Sequence, residues 1–324
     1  MKLMAKDVKG LNYQPGYSSC TFETWRCFNY EQICAELENG KKCFPNWNTV
    51  RIWLSWNAFC RGEKVFLDRV DMVIRKCKEL GIYVMPVIFN RWHDSVIDCD
   101  GIYLDHFMPK AGWFDKYGDP FEKYIKALME RFGDDEGILC WDLCNEPFSF
   151  PIDEFEYAQP VIEQELKWLN NMYNHCKKFG AKQPVGIGDS GNLPLIRIND
   201  FCDVFMSHCY FRPENPYDEN GIALYEAAVK SRLEEAKLLG KELIPNESGW
   251  GDFTDERRVQ RVKVTLDVFK KYDMGYCLHA LNHSDFTDLH DPEEGALSPD
   301  IGNLCFINKN GQIRPGHDIL NKYW

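Results

Sequence analysis

The stretch FLDRVDMVIRKCKELGIYVMPVIF, residues 66–89, sets the pattern of the whole chain. Residues 66–80 repeat apolar side chains at helical period, Gly81 falls where a left-handed helix cap is wanted, and residues 81–89 run on as a short apolar strand. The unit recurs. Further strands are expected over 8–13, 49–56, 138–145, 184–189, 203–210, 242–247 and 275–282, and further helices over 120–132, 161–179, 222–239 and 257–272. Gly133, Gly180, Gly240 and Gly275 lie at or near the boundaries of the helical runs, as helix caps do. The fifth crossover, NLPLIRIND at 192–200, is short and carries Pro194 inside it. Strand alternating with helix means parallel pairing through helical crossovers. Eight such strands, with no linker or low-complexity break, predict an α/β fold of the (β/α)8 TIM-barrel type, a single domain over residues 1–324.

A formal net charge of −12 and no long Lys/Arg run argue against a nucleic-acid partner, which needs a basic footprint. The first residues, MKLMAKDVKGLNYQPG, lack the apolar stretch of a signal peptide or anchor, and no segment approaches the ~18–20 apolar residues of a membrane span. No membrane partner is expected. The 14 Cys are scattered, without a CxxC pair or a zinc-like spacing to His, and read as free buried thiols. Both features predict a cytoplasmic protein. Oligomeric state leaves no mark in the sequence.

Catalytic groups of such barrels sit at the C-terminal ends of strands. Here those positions hold Asn12 and Tyr13; Arg51 within the second strand; Asn90, Arg91, Trp92 and His93; Asn145 and Glu146; Asp189; His208 and Tyr210; Glu247; and Asn282 and His283. Two are Glu in matching contexts, CNEPF at 144–148 and PNESGW at 245–250. A buried Glu is costly unless paired or used. Two carboxyl groups converging on one mouth are what glycoside hydrolysis requires, one as acid/base and one as nucleophile or base.

Asn-Glu-Pro closing strand four, Glu closing strand seven, Arg in strand two and His-x-Tyr ending strand six together resemble the retaining glycoside hydrolases of the (β/α)8 superfamily. The chain is most similar to family 5, the cellulase, mannanase and mannosidase family, from LNY at 11–13 to ALN at 280–282. The resemblance implies that Glu146 is the acid/base and Glu247 the nucleophile, with Asn145 bonding the sugar 2-OH. It further implies that Tyr210 holds Glu247 through its hydroxyl, that His208 lines the site, and that Arg51 approaches the nucleophile from below. One element departs from the family: strand eight reads YCLHALNHS, without the Trp that floors the cleavage subsite. Trp92 and Trp250 are the expected substitutes, and His93 and Asn282 complete the expected substrate contacts.

The remaining motifs are weaker. GIGDSG at 186–191 matches a dinucleotide fingerprint, but no good helix follows it, so no nicotinamide cofactor is expected and a strand turn accounts for the glycines. NRWHDSVIDCDGIYLDHF at 90–107 is rich in His and Asp without a familiar metal spacing, and no metal is expected there. Long connections at 90–118 and 283–300 would wall off the mouth and favour terminal sugars or short oligosaccharides. The expected activity is therefore retaining, exo-type cleavage of β-mannosides or β-glucosides without a cofactor, the carboxyls roughly 5–5.5 Å apart. A furanosidase, a non-catalytic sugar-binding barrel and a nicotinamide oxidoreductase are the rival readings.

Overall fold

The structure, a computed structural model, describes residues 3–92, 100–108, 118–149, 158–288 and 301–324. Eight strands follow one another: β1 Lys9–Tyr13, β2 Thr49–Trp53, β3 Tyr83–Asn90, β4 Trp141–Asn145, β5 Val185–Asp189, β6 Phe205–His208, β7 Leu243–Glu247 and β8 Tyr276–Leu278. All pair in parallel in the order β7-β6-β5-β4-β3-β2-β1-β8. The remaining seam, between β7 and β8, is bridged where the His279 N–H donates to the Ser248 carbonyl at 2.7 Å. This is the expected TIM barrel.

Among the described residues six long crossover helices surround it: α1 Tyr30–Cys43, α2 Glu63–Glu79, α3 Glu122–Phe132, α4 Ala158–Lys178, α5 Glu219–Leu238 and α6 Asp255–Lys271. In α2 the residues Phe66, Leu67, Val70, Val73, Ile74 and Cys77 are buried, one stripe at helical spacing that packs on the barrel. Side-chain caps start three of the helices, with Asn29, Asp218 and Thr254 each accepting a backbone N–H of the first turn of α1, α5 and α6. Between β5 and β6 only two short 3₁₀ turns, Leu195–Arg197 and Asn199–Phe201, take the place of a helix. Pro194 precedes them.

Three expectations change. Helix α1 was not anticipated, because only Ile33, Leu37 and Gly40 of its fourteen residues are buried and the apolar stripe is thin. Gly81, Gly180 and Gly240 are left-handed caps, but Gly133 is right-handed and Gly275 is not left-handed; beside Gly275 the N-terminal backbone of Ala5 and Val8 approaches too closely for a side chain. Strand eight ends early at Leu278, and although the Leu281 N–H still reaches Asn12 of β1, residues 280–283 pair mainly with residues 304–307: the Ala280 N–H donates to Leu304, and Phe306 and Ile307 donate back to Ala280 and Leu281.

Inside the barrel the character of the side chains changes along the axis. Val8, Met85, Leu139, Cys140, Val204, Met206, Ile244 and Cys277 form an apolar plug toward the N-terminal ends. Above it lies a fully buried polar layer of Asn12, Arg51, Asp142 and Asn246. The strand ends rise from that layer. No helix of the described residues is long and apolar enough to cross a membrane.

Candidate active site

Arg51 organises the mouth from beneath. Strand pairing sets it beside Asn12, and its guanidinium, wholly buried, spends every donor edge on a partner. Nε donates to Asp142 Oδ2 at 2.9 Å, Nη1 to Asn12 Oδ1 at 3.0 Å and to Glu247, and Nη2 to Asn145 Oδ1 at 2.7 Å. Asp142 is itself saturated, since Asn246 Nδ2 donates to Oδ2 at 2.8 Å and the Gly188 N–H to Oδ1 at 2.9 Å. A buried charge is tolerated when it is paired and fully hydrogen-bonded, as here.

Glu146 and Glu247 stand on this layer. The register pairs His208 with Glu247 across β6 and β7 and Asn90 with Asn145 across β3 and β4. Glu146 leaves β4 in the left-handed region, φ 46°, followed by Phe148 at φ 62°, a conformation of order 1–3 kcal/mol uphill for a non-glycine residue. Its backbone N–H is fixed to the Gly188 carbonyl at 2.8 Å, which aims the side chain across the mouth. His208 Nδ1 meets Glu146 Oε1 at 2.6 Å and lies 3.7 Å from Glu247 Oε1. Oxygen atoms of the two carboxyl groups and a His208 ring nitrogen all fall within 4.8 Å of one another.

The surroundings separate the two Glu. Burial alone would raise the Glu247 carboxyl, but the charges of His208, Arg51 and His279 and the hydroxyl donated by Tyr210 outweigh it and bring it down to about 2. It is therefore an anion. Burial would lower the His208 imidazole, yet Glu247 and Glu146 overcome that and raise it. Tyr210 stays a neutral donor, pushed up by burial and then by Glu247. The spacing of Glu146, His208 and Glu247 would also suit a cation, but a metal on Glu247 would confront the Arg51 guanidinium already bound there. Proton transfer suits this donor set better.

Above the pair opens a cavity of about 160 Å3. Asn90, Asn145, Glu146, Tyr210, Glu247 and His279 supply polar groups to it, and Trp53, Trp92, Trp250 and Phe286 supply aromatic faces. Such a mixture of rings and hydrogen-bonding edges fits a carbohydrate.

The family model for cellulase, glycosyl hydrolase family 5, matches residues 15–285. The chain belongs to glycosyl hydrolase family 5. Among curated members it is 24% identical over 136 residues to a probable mannan endo-1,4-β-mannosidase A of Aspergillus clavatus, covering 39% of this chain and 33% of the relative. The chain thus matches about a third of that relative's length. Among solved structures it resembles an exo-β-1,4-mannosidase from Opitutaceae bacterium strain TAV5, with TM-score 0.73 and 17% identity over 97% of this chain and 58% of that one. It also resembles the hyperthermostable endo-1,4-β-D-mannanase of Thermotoga petrophila RKU-1, with TM-score 0.67 and 17% identity over 95% and 98% of the two chains.

In this family 5 barrel most residues singled out from sequence meet at one mouth, in two tiers. Glu146, Glu247, Asn145, Tyr210, Trp92 and Trp250 line the cavity. Arg51, expected beneath Glu247, and His208, expected to line the site, lie below the cavity and grip the two carboxylates. Asn282 does not line it either, because β8 has already turned away and its side-chain amide donates to the His283 carbonyl at 2.8 Å. His93 falls outside the described residues, as do Asp94, Asp98 and Trp113 and much of both long loops. Arg91 turns from the mouth to Glu165 at 2.5 Å, and Asp189 to Arg232.

Among the cavity residues that escaped the sequence reading are His279, Trp53 and Arg212. His279 directly follows β8, where an aromatic platform was sought, its ring edge-on to Trp53 and Phe286 at 6.1 and 6.0 Å. Strand alternation from Cys277, which points into the barrel plug, would have found it. Trp53 follows Arg51 by the same period, and Arg212 follows Tyr210 by two residues. GIGDSG is only partly a turn. Gly186 and Gly188 lie within β5, and a Cβ at Gly188 would sit 2.8 Å from Asp142 Oδ2; only Gly191 is a left-handed turn residue, φ 92°.

Proposed function

We propose that the chain is a retaining β-glycosidase acting on terminal β-mannosyl or β-glucosyl units, with Glu247 as nucleophile and Glu146 as acid/base. One observation carries the reading: an ionised Glu247 and a second carboxyl, Glu146, with oxygens within 4.8 Å, below the ~6.5–9.5 Å that inverting enzymes need to admit a water. In the first step a Glu247 oxygen attacks the anomeric carbon while Glu146 protonates the departing glycosidic oxygen. Glu146 then takes a proton from water, whose oxygen displaces Glu247 and restores the configuration. Arg51 and Tyr210 keep Glu247 anionic and oriented, and the Asn145 amide, held by Arg51 and Asn90, presents its edge to the sugar. No bound cofactor takes part in these steps.

The mannosidase and mannanase names of its relatives support a β-mannoside as the first substrate to try. Exo action rests on the long connections after β3 and β8. Free thiols at all thirteen described cysteines support a reducing, cytoplasmic location. Proton NMR of the first-formed sugar from aryl β-mannoside and β-glucoside tests the mechanism: the β-anomer is expected, and the α-anomer would refute it. Release of monosaccharide from β-mannan without an early fall in viscosity is expected of exo action; a rapid fall would reverse that assignment.

A further inference from the structure

One cation at the mouth serves neither the ionic layer nor the two Glu. Arg212 is exposed and lines the cavity. Its guanidinium carbon sits 4.1 Å from the Trp250 ring centre and 4.7 Å from that of Tyr210, and the two rings pack edge to face at 4.8 Å. Elsewhere in this acidic chain Arg51, Arg91, Arg232, Arg257 and Arg261 each grip a carboxylate. Among the described residues Arg212 has no carboxylate within ion-pair distance. Its charge is therefore open to whatever enters.

We propose that Arg212 is a specificity-determining residue that reads a carboxylate on the substrate, so that the glycoside carries a uronic acid at the cleaved ring or its neighbour. The proposal rests on the glycosidase reading above and extends it to the substrate class. A neutral sugar needs no cation, whereas an acidic one entering this mouth meets the anionic Glu247 and must be compensated. A guanidinium laid on Trp250 keeps its planar fork fixed, and that fork matches a carboxylate with two parallel hydrogen bonds. Stacking supplies the order in advance, so less freedom is lost when the acid binds.

The test compares aryl β-glucuronide with aryl β-glucoside and β-mannoside, and disaccharides bearing glucuronic acid on either ring with their neutral counterparts. Wild-type protein is expected to favour the acidic member, with a KM for it that rises with salt while the neutral KM does not. Arg212→Gln should lower the acidic-to-neutral ratio of kcat/KM by about 10–100-fold, and Arg212→Lys, keeping charge but losing the fork, by less. Calorimetric titration with the glucuronic acid disaccharides gives a readout independent of turnover. Failure to hydrolyse any glycoside would refute the glycosidase reading, while loss of uronate binding in Arg212→Gln would still support the role of Arg212. An unchanged acidic-to-neutral ratio in Arg212→Gln, or no uronate binding by the wild type, would overturn it.

Discussion

Glu146 and Glu247 differ in what holds them, and their substitution should separate accordingly. Glu247 takes Arg51 on one oxygen and Tyr210 on the other, whereas Glu146 meets His208 alone among the contacts described above. Glu247→Ala removes the covalent route and should nearly abolish turnover on every glycoside. Glu146→Ala should retain the first step on aryl glycosides whose leaving group needs no proton, giving a burst of phenol and a slow steady state that azide accelerates. Equal loss in both variants without azide rescue would remove the assignment. The same residues set a pH dependence. The Glu247 carboxyl is depressed from 4.5 to about 2, so its contribution to stability is present above about pH 4.5 and is lost as pH falls toward 2. His208 is raised above 6.5, so its contribution is present below that pH and fades as pH rises through the raised value. Melting temperature should therefore peak between the two windows. Glu247→Gln should flatten the acid side, and an unchanged acid limb in that variant would contradict the assignment.

At the scale of elements, legibility followed burial. Strands 3 to 7 could be read nearly to their ends because buried parallel strands are continuous apolar runs, and α2 because six of its residues bury one stripe. Helix α1 has few anchors, and its Gly40 is there because a side chain would strike Leu281 and Trp47. Strand eight could not be bounded, since its length is set by residues 304–307, far away in the chain. That Glu146 and Glu247 meet at one mouth was legible from their strand-end contexts. His279 was missed although alternation from Cys277 turns it inward, and Arg212 because it lies beyond the end of β6, where alternation no longer holds. Strand β5 offers a direct test. Gly188→Ala would place a methyl 2.8 Å from Asp142 Oδ2, 3.0 Å from Asn246 Nδ2 and 3.1 Å from Arg51 Nη2, none of them free to yield. It should cost about 1–3 kcal/mol in urea unfolding and lower kcat. Asp218→Ala, which removes only the α5 cap, should cost about 1 kcal/mol and leave kcat intact. Equal kinetic effects of the two would mean that Gly188 has no special tie to the site.

Across the whole molecule the ionic layer is the point at which stability and chemistry can be told apart. Arg51 reaches from β2 to Asp142 on β4, Asn12 on β1 and Glu247 on β7, so one side chain ties together strands from opposite sides of the barrel. Removing one member of a buried pair leaves the other uncompensated, at about 3–5 kcal/mol, whereas replacing both with apolar residues of similar size is often neutral. Asp142→Leu alone should therefore destabilise strongly in urea unfolding. The double variant Arg51→Met/Asp142→Leu should recover part of that loss, the remainder being set by Glu247, which keeps only Tyr210 and His208 once Arg51 is gone. Activity should not follow stability. Without Arg51, Glu247 loses a cation that keeps it ionised, and Asn145 loses the donor that orients its amide. The double variant should fold yet turn over at least ~100-fold more slowly, with its rate recovering as pH rises because Glu247 now needs a higher pH to ionise. A double variant as active as the wild type would show that Arg51 serves only the fold, and an Asp142→Leu protein as stable as the wild type would show that the layer is not a closed ionic network.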